Sequence, residues 1–110
     1  MKHPKVLVGC PTANFKAYCL DEYIQGVKKL TYPNFDLVIV DNSKDEEYYK
    51  RLKSHGINVI KDKFVKKAMK RITHSRNILR DIAIKENYDY FLSLEQDVIP
   101  PPEVIQQLLK

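Results

Sequence analysis

At 110 residues the chain is one ordinary domain, too short for two and long enough to bury roughly two-thirds of the surface its unfolded form exposes. With 44% hydrophobic and 30% charged residues it is neither a disordered tail nor a low-complexity linker, and no apolar run approaches the roughly 18 residues of a membrane span. The net charge is +5, the glycine-rich phosphate motifs are absent, and Cys10 and Cys19 have neither metal-ligand spacing nor the density of a disulfide scaffold, so a reduced, cytoplasmic protein is expected.

The opening Met1-Lys2-His3-Pro4-Lys5 is too brief for a signal peptide and leads directly into Val6-Leu7-Val8, the first predicted strand. Leu20, Tyr23, Ile24, Val27 and Leu30 then recur at helical spacing, with Asp21 near the start. Leu37-Val38-Ile39-Val40 predicts a second strand. Tyr48, Tyr49 and Leu52 predict a second helix, led by Asp45-Glu46-Glu47, acids that suit a helix N-terminus. Ile57-Asn58-Val59-Ile60 predicts a third strand. A third helix carries Ile78, Leu79, Ile82 and Ala83, with Thr73 or Ser75 able to cap it. Phe91-Leu92-Ser93-Leu94 predicts the fourth strand, and a last helix begins at Pro101-Pro102-Glu103 and runs through Val104, Ile105, Leu108 and Leu109.

The order is βαβαβαβα. Near-continuous apolar strands alternating with amphipathic helices predict a three-layer α/β/α, Rossmann-like open sheet, mainly parallel, in a single domain over residues 1–110. Such sheets bind ligands outside the carboxyl ends of their strands, so the chemistry is expected in the loops that follow them. Gly9-Cys10-Pro11-Thr12-Ala13-Asn14 lets backbone and hydroxyl groups approach a ligand, or is a plain turn. Asp41-Asn42-Ser43 can read the edge of a base or a ribose, or form an Asx-turn. Glu95-Gln96-Asp97 continues the fourth strand directly. Strand alternation would set Glu95 and Asp97 on one side, where Mg²⁺ or Mn²⁺, or a basic side chain, relieves their repulsion. The helix opening at Thr73-His74-Ser75-Arg76-Asn77 would turn free N–H groups and the Arg76 fork toward phosphate, with His74 a switchable cation or a capping neighbour.

The charge is uneven. Between Lys61 and Arg80 eight basic residues stand against one acid, Asp62, so that window carries +7 and the other ninety residues −2. A local anionic partner and a solvated basic face both fit this pattern.

Pro11-Thr12-Ala13-Asn14, Leu30-Thr31-Tyr32-Pro33-Asn34-Phe35, Asp36 to Ser43, Ser75-Arg76-Asn77 and Tyr90 to Pro100 together resemble, in order and over nearly the whole chain, the family 2-like glycosyltransferases of the GT-A fold. The resemblance implies the nucleotide-diphosphate-sugar-binding half of such an enzyme, with Mn²⁺ or Mg²⁺ as cofactor. It implies Pro11, Thr12, Asn14, Asp41, Asn42, Arg76 and Glu95 as nucleotide-binding residues, and Asp97 with Glu95 at the metal. Glu95 replaces the first aspartate of the family's D-x-D, and Asn42 stands where a second aspartate is common. The family's acceptor-binding half, which supplies the catalytic base of inverting members, has no counterpart before Lys110. The expected reading is therefore a truncated GT-A domain whose catalytic residues are unknown and which binds without transferring by itself. It would be completed by a further half or by forming a homo-oligomer.

A non-catalytic interaction module on the same fold is the alternative. Nucleic-acid binding through the basic window ranks last, because only Phe64 is interleaved as a stacking aromatic. A response-regulator receiver would need paired acids after the first strand, where Cys10-Pro11-Thr12 stands.

Overall fold

The computed structural model describes residues 3–110; Met1 and Lys2 of the N-terminal stretch lie outside the described residues. Four strands, β1 (Val6–Thr12), β2 (Phe35–Asp41), β3 (Asn58–Lys61) and β4 (Tyr90–Ser93), form one sheet in the order β3-β2-β1-β4, with every pairing parallel. Helices α1 (Leu20–Lys28), α2 (Glu47–Ser54), α3 (Ala68–Lys85) and α4 (Val104–Leu108) alternate with them, and a 3-10 segment, Asn14–Cys19, leads into α1. The expected Rossmann-like α/β architecture is present.

Strand alternation sorts the core into two. Val6, Val8 and Cys10 of β1 and Ile39 of β2 pack with Tyr23, Ile24 and Val27 of α1 and with Tyr48 and Leu52 of α2, while Ile105 joins them from α4. Leu7, Val38 and Val40 face the other way, onto Leu79 and Ala83 of α3. Both faces of the central strands are therefore covered, as their unbroken apolar runs require. Gly9 sits where that cover is closest, since a Cβ there would lie 2.3 Å from the Val38 carbonyl oxygen and 3.2 Å from Leu79.

β1 continues four residues past Val8, through the stretch read as a loop, because β2 pairs with it as far as Thr12–Asp41. Pro11 is tolerated there. The Gly9 carbonyl accepts from Leu94 N–H and the Thr12 carbonyl from Asn42 N–H, so Pro11 turns its missing N–H toward β4, which has already ended at Ser93.

Three further expectations are corrected. α3 starts at Ala68, two turns before Ser75, so Ser75, Arg76 and Asn77 lie inside the helix and present no free N-terminal N–H groups. β4 stops at Ser93, and residues 96–97 form a turn, so strand alternation does not govern Glu95 and Asp97. β4 is an edge strand with only four paired positions, too few to carry the pleat onward. α4 likewise begins at Val104 rather than at the prolines, which form the turn before it. Among the described residues no helix is long and apolar enough to cross a membrane.

Candidate functional site

The chain runs from β1 through β2 to β3 in one direction, then α3 carries it back across to β4 on the far side of β1. The strand order therefore reverses between β1 and β4, which opens a crevice at their carboxyl ends. A hollow of about 230 Å³ lies there. Pro11, Thr12 and Ala13 from the end of β1, Asn42 from the end of β2 and Glu95 from beyond β4 line it, together with Phe15, Lys16, Arg71 and Ile72. A slightly larger hollow, about 270 Å³, lies between β4 and α4 but is bounded mainly by Phe91, Leu92, Ile105, Leu108 and Leu109 and gathers no comparable polar set.

Buried hydrogen bonds hold the walls in place. Thr12 Oγ1 donates to Gln96 Oε1, and Gln96 Nε2 donates to Tyr48 Oη at 2.5 Å and to the Lys16 carbonyl at 3.0 Å. Gln96 is only 3% exposed. Tyr23 Oη donates to the Leu94 carbonyl at 3.0 Å, so the segment leaving β4 is fastened to α1 as well as to β1. Burial pushes the Tyr23 hydroxyl well above its ordinary pKa, and pushes the Cys10 thiol beneath the site up to about 12, with Glu95 adding to the effect.

The loops after β1 and β2 are joined, because Asn14 N–H donates to Ser43 Oγ at 2.7 Å. The Asp41 side chain is fully buried, and its Oδ1 accepts from Ser43 N–H at 2.9 Å and from Ser43 Oγ at 2.6 Å. Asp41 thus makes the Asx-turn, and Asn42 is the residue of this pair that reaches the hollow. Its amide Nδ2 donates to Ser75 Oγ at 3.0 Å, which in turn donates to Asp62 Oδ2 at 2.8 Å. His74 Nδ1 and Lys63 N–H complete the carboxylate, each at 2.8 Å. Burial alone would raise the Asp62 pKa, but the bonds from His74, Ser75 and Lys63 outweigh it and hold the carboxyl below its ordinary value.

The charged residues at the mouth pair with one another. Arg76 Nη2 lies 3.3 Å from Glu95 Oε1, and Lys16 Nζ 3.2 Å from Asp97 Oδ2. Asp97 bonds Lys16 on the wall but does not itself line the hollow. The Arg71 guanidinium lies over the Phe64 ring, 5.1 Å from its centroid, and bonds the Val65 carbonyl at 2.9 Å.

Of the residues expected to bind a nucleotide, the structure gathers Pro11, Thr12, Asn42 and Glu95 on one wall and sets Arg76 against Glu95. Asn14 is exposed and contributes its backbone, and Asp41 contributes a turn. Sequence reasoning missed these roles for Lys16, Arg71, Gln96, Ser75 and Asp62; Arg71 and Asp62 stood out only as members of the basic window, and Ser75 only as a cap candidate and as part of Ser75-Arg76-Asn77.

Glu95 Oε2 is buried without a hydrogen-bond partner, so one carboxylate oxygen beside the hollow is left unpaired. Among the described residues no three His, Cys, Asp or Glu side chains converge as a metal cage. A hard divalent ion bridging phosphates needs only one or two carboxylates, which Glu95, and Asp97 if freed from Lys16, can supply. Lys16 and Arg71 line the hollow beside the apolar Phe15 and Ile72, so the arrangement is suited to binding an anion with an apolar neighbour. No family model and no curated protein matches the chain.

Proposed function

We propose that the chain is a nucleotide-diphosphate-sugar-binding domain of the GT-A glycosyltransferase type, serving sugar transfer to an acceptor hydroxyl. The observation that carries this reading is the hollow at the β1/β4 crevice, where Pro11, Thr12, Asn42 and Glu95 meet beside Lys16, Arg71 and Arg76. Phe15 is 63% exposed on the rim and offers a flat apolar face to a base. Lys16 and Arg76 would turn from their carboxylates to the diphosphate, stabilising the charge that develops on the departing nucleotide. Glu95 and Asp97 would then hold Mn²⁺ or Mg²⁺, which supplies further neutralisation of the phosphates when bound.

The test is titration calorimetry of UDP and GDP with and without Mn²⁺. Binding that requires the metal and is abolished in Asp97→Ala is the expected result. Binding indifferent to metal and to that substitution would overturn the reading.

A non-catalytic association module is the second reading. It is favoured by the apolar hollow on the β4 edge, where Tyr90 is 54% and Leu108 63% exposed. It predicts a stable oligomer by light scattering and no nucleotide binding.

A further inference from the structure

Three of the most buried polar side chains lie in one line beneath the hollow. Asn42 is 3% exposed, Ser75 0% and Asp62 6%. The line has a direction fixed by proton count. Asp62 is ionised, so its oxygens only accept, and Oδ2 takes the single hydroxyl proton of Ser75. Ser75 Oγ has no second proton to give and must accept from Asn42, which sets Nδ2 of that amide against Ser75. The amide cannot turn over without placing its carbonyl oxygen against an oxygen that has no proton left for it. Oδ1 is thereby the free acceptor of the one amide that lines the hollow, beside the second N–H of Nδ2.

Resting on the donor-site reading above, we infer that Asp62 and Ser75 are positioning residues that hold Asn42 as a hydrogen-bond acceptor toward the ligand, so that the site selects a base presenting a ring N–H, as uracil does, over one presenting a bare ring nitrogen, as cytosine does. The same line explains why an amide rather than a carboxylate stands at position 42. A carboxylate in its place would compete for the one hydroxyl proton that Asp62 already takes, a few ångströms from a buried charge. His74 closes the far end through Nδ1 on Asp62 Oδ2.

The experiment measures UDP and CDP affinity by calorimetry, and melting temperature, for the wild type, Asp62→Asn, Asn42→Asp and the double exchange. The wild type should prefer UDP by about tenfold or more, the discrimination that one misdirected hydrogen bond supplies. In Asp62→Asn the new amide donates to Ser75, the hydroxyl proton passes to Asn42, and the amide of Asn42 turns over, so the UDP preference should vanish or invert. Asn42→Asp should melt lower than the wild type. The double exchange should restore both melting temperature and UDP preference, because the amide introduced beside His74 then donates to Ser75, while Ser75 donates to the carboxylate introduced at the hollow.

A folded Asp62→Asn protein with an unchanged UDP:CDP ratio would overturn the inference, as would equal affinity in the wild type. A double exchange that melts no higher than Asn42→Asp would also overturn it. If the wild type binds neither nucleotide, the donor-site reading and the base assignment fall together, and melting-temperature rescue in the double exchange identifies that failure as one of the ligand rather than of the relay.

Discussion

Gln96 makes three hydrogen bonds to three different parts of the chain, which makes its replacement a sharp test of how the site is assembled. It accepts from Thr12 at the end of β1 and donates to Tyr48 in α2 and to the Lys16 carbonyl in the 3-10 segment, across sequence separations of 84, 48 and 80 residues. Gln96→Leu keeps most of the volume and removes all three bonds. Each partner left unpaired costs about 1 kcal/mol or more, so the loss is roughly 3 kcal/mol. That is a large fraction of the 5–15 kcal/mol that typically separates folded from unfolded states, and it corresponds to a melting point lowered by roughly 12 °C in a domain of this size.

Differential scanning calorimetry reads this directly, with Tyr48→Phe as an internal scale because it removes one of the three bonds and should cost about a third as much. Gln96→Glu should be worse than Gln96→Leu at neutral pH, since it keeps the acceptor for Thr12 but buries a charge and loses both donated bonds. A Gln96→Leu protein melting within about 3 °C of the wild type, a quarter of the expected shift, would refute the reasoning. It would mean that packing around Leu94 and Ile105 alone holds the segment in place.

Gly9→Ala would put a methyl 2.3 Å from the Val38 carbonyl oxygen, a backbone atom that can move only with its strand, so the urea midpoint should fall by an amount equivalent to about 3 kcal/mol; an unchanged midpoint would refute the close approach. Because the folded Asp62 carboxyl titrates below its ordinary value near 3.8, its stabilisation is complete above that pH and is lost as pH falls through the folded value. The stability difference between wild type and Asp62→Asn should therefore shrink from about pH 5 to about pH 2, and a constant difference would contradict it. Cys10, fully buried with its thiol pushed up to about 12, should resist a disulfide reagent until the protein unfolds, and rapid labelling of Cys10 in the native state would show that β1 opens independently.

The strands and the apolar faces were legible because they rest on local pattern. Tyr23, Ile24 and Val27 lie on the buried face that their spacing assigns, and Val38, Ile39 and Val40 are covered on both sides as an unbroken apolar run implies. The start of α3 was not legible, because Lys67 at its N-cap makes no side-chain capping bond, while Ser75, which looks like a cap, bonds Asp62 from the helix interior. β1 looked shorter than it is, since Gly9-Cys10-Pro11 reads as a turn unless both neighbouring strands are known. Nothing local marked Gln96 or Asp62 for the buried bonds they make. Apart from Lys63 N–H, their partners are brought together by topology across 12 to 84 residues, and no spacing rule reaches that far.

The basic window shows how a sequence sum misleads about a surface. Lys61 spends its ammonium on the Ser43 and Asp62 carbonyls, Arg71 packs on Phe64 and braces the loop before α3, and Arg76 is on Glu95, so three of the eight cations are engaged within the fold. What the hollow presents is a set of opposite charges paired at its mouth. Lys16–Asp97 and Arg76–Glu95 are partly solvated, with side-chain exposures between 29% and 52%, and pairs of that kind contribute at most about 1 kcal/mol each. They can be exchanged at small cost. A diphosphate that takes both cations leaves two carboxylates beside its own negative charge, and that arrangement is unstable without a positive ion to join them. Anion and divalent cation should therefore bind this site together, each strengthening the other, because Lys16 and Arg76 are already neutralised by Asp97 and Glu95, which leaves Arg71, bonded to the Val65 carbonyl, as the one charge of the five without a carboxylate.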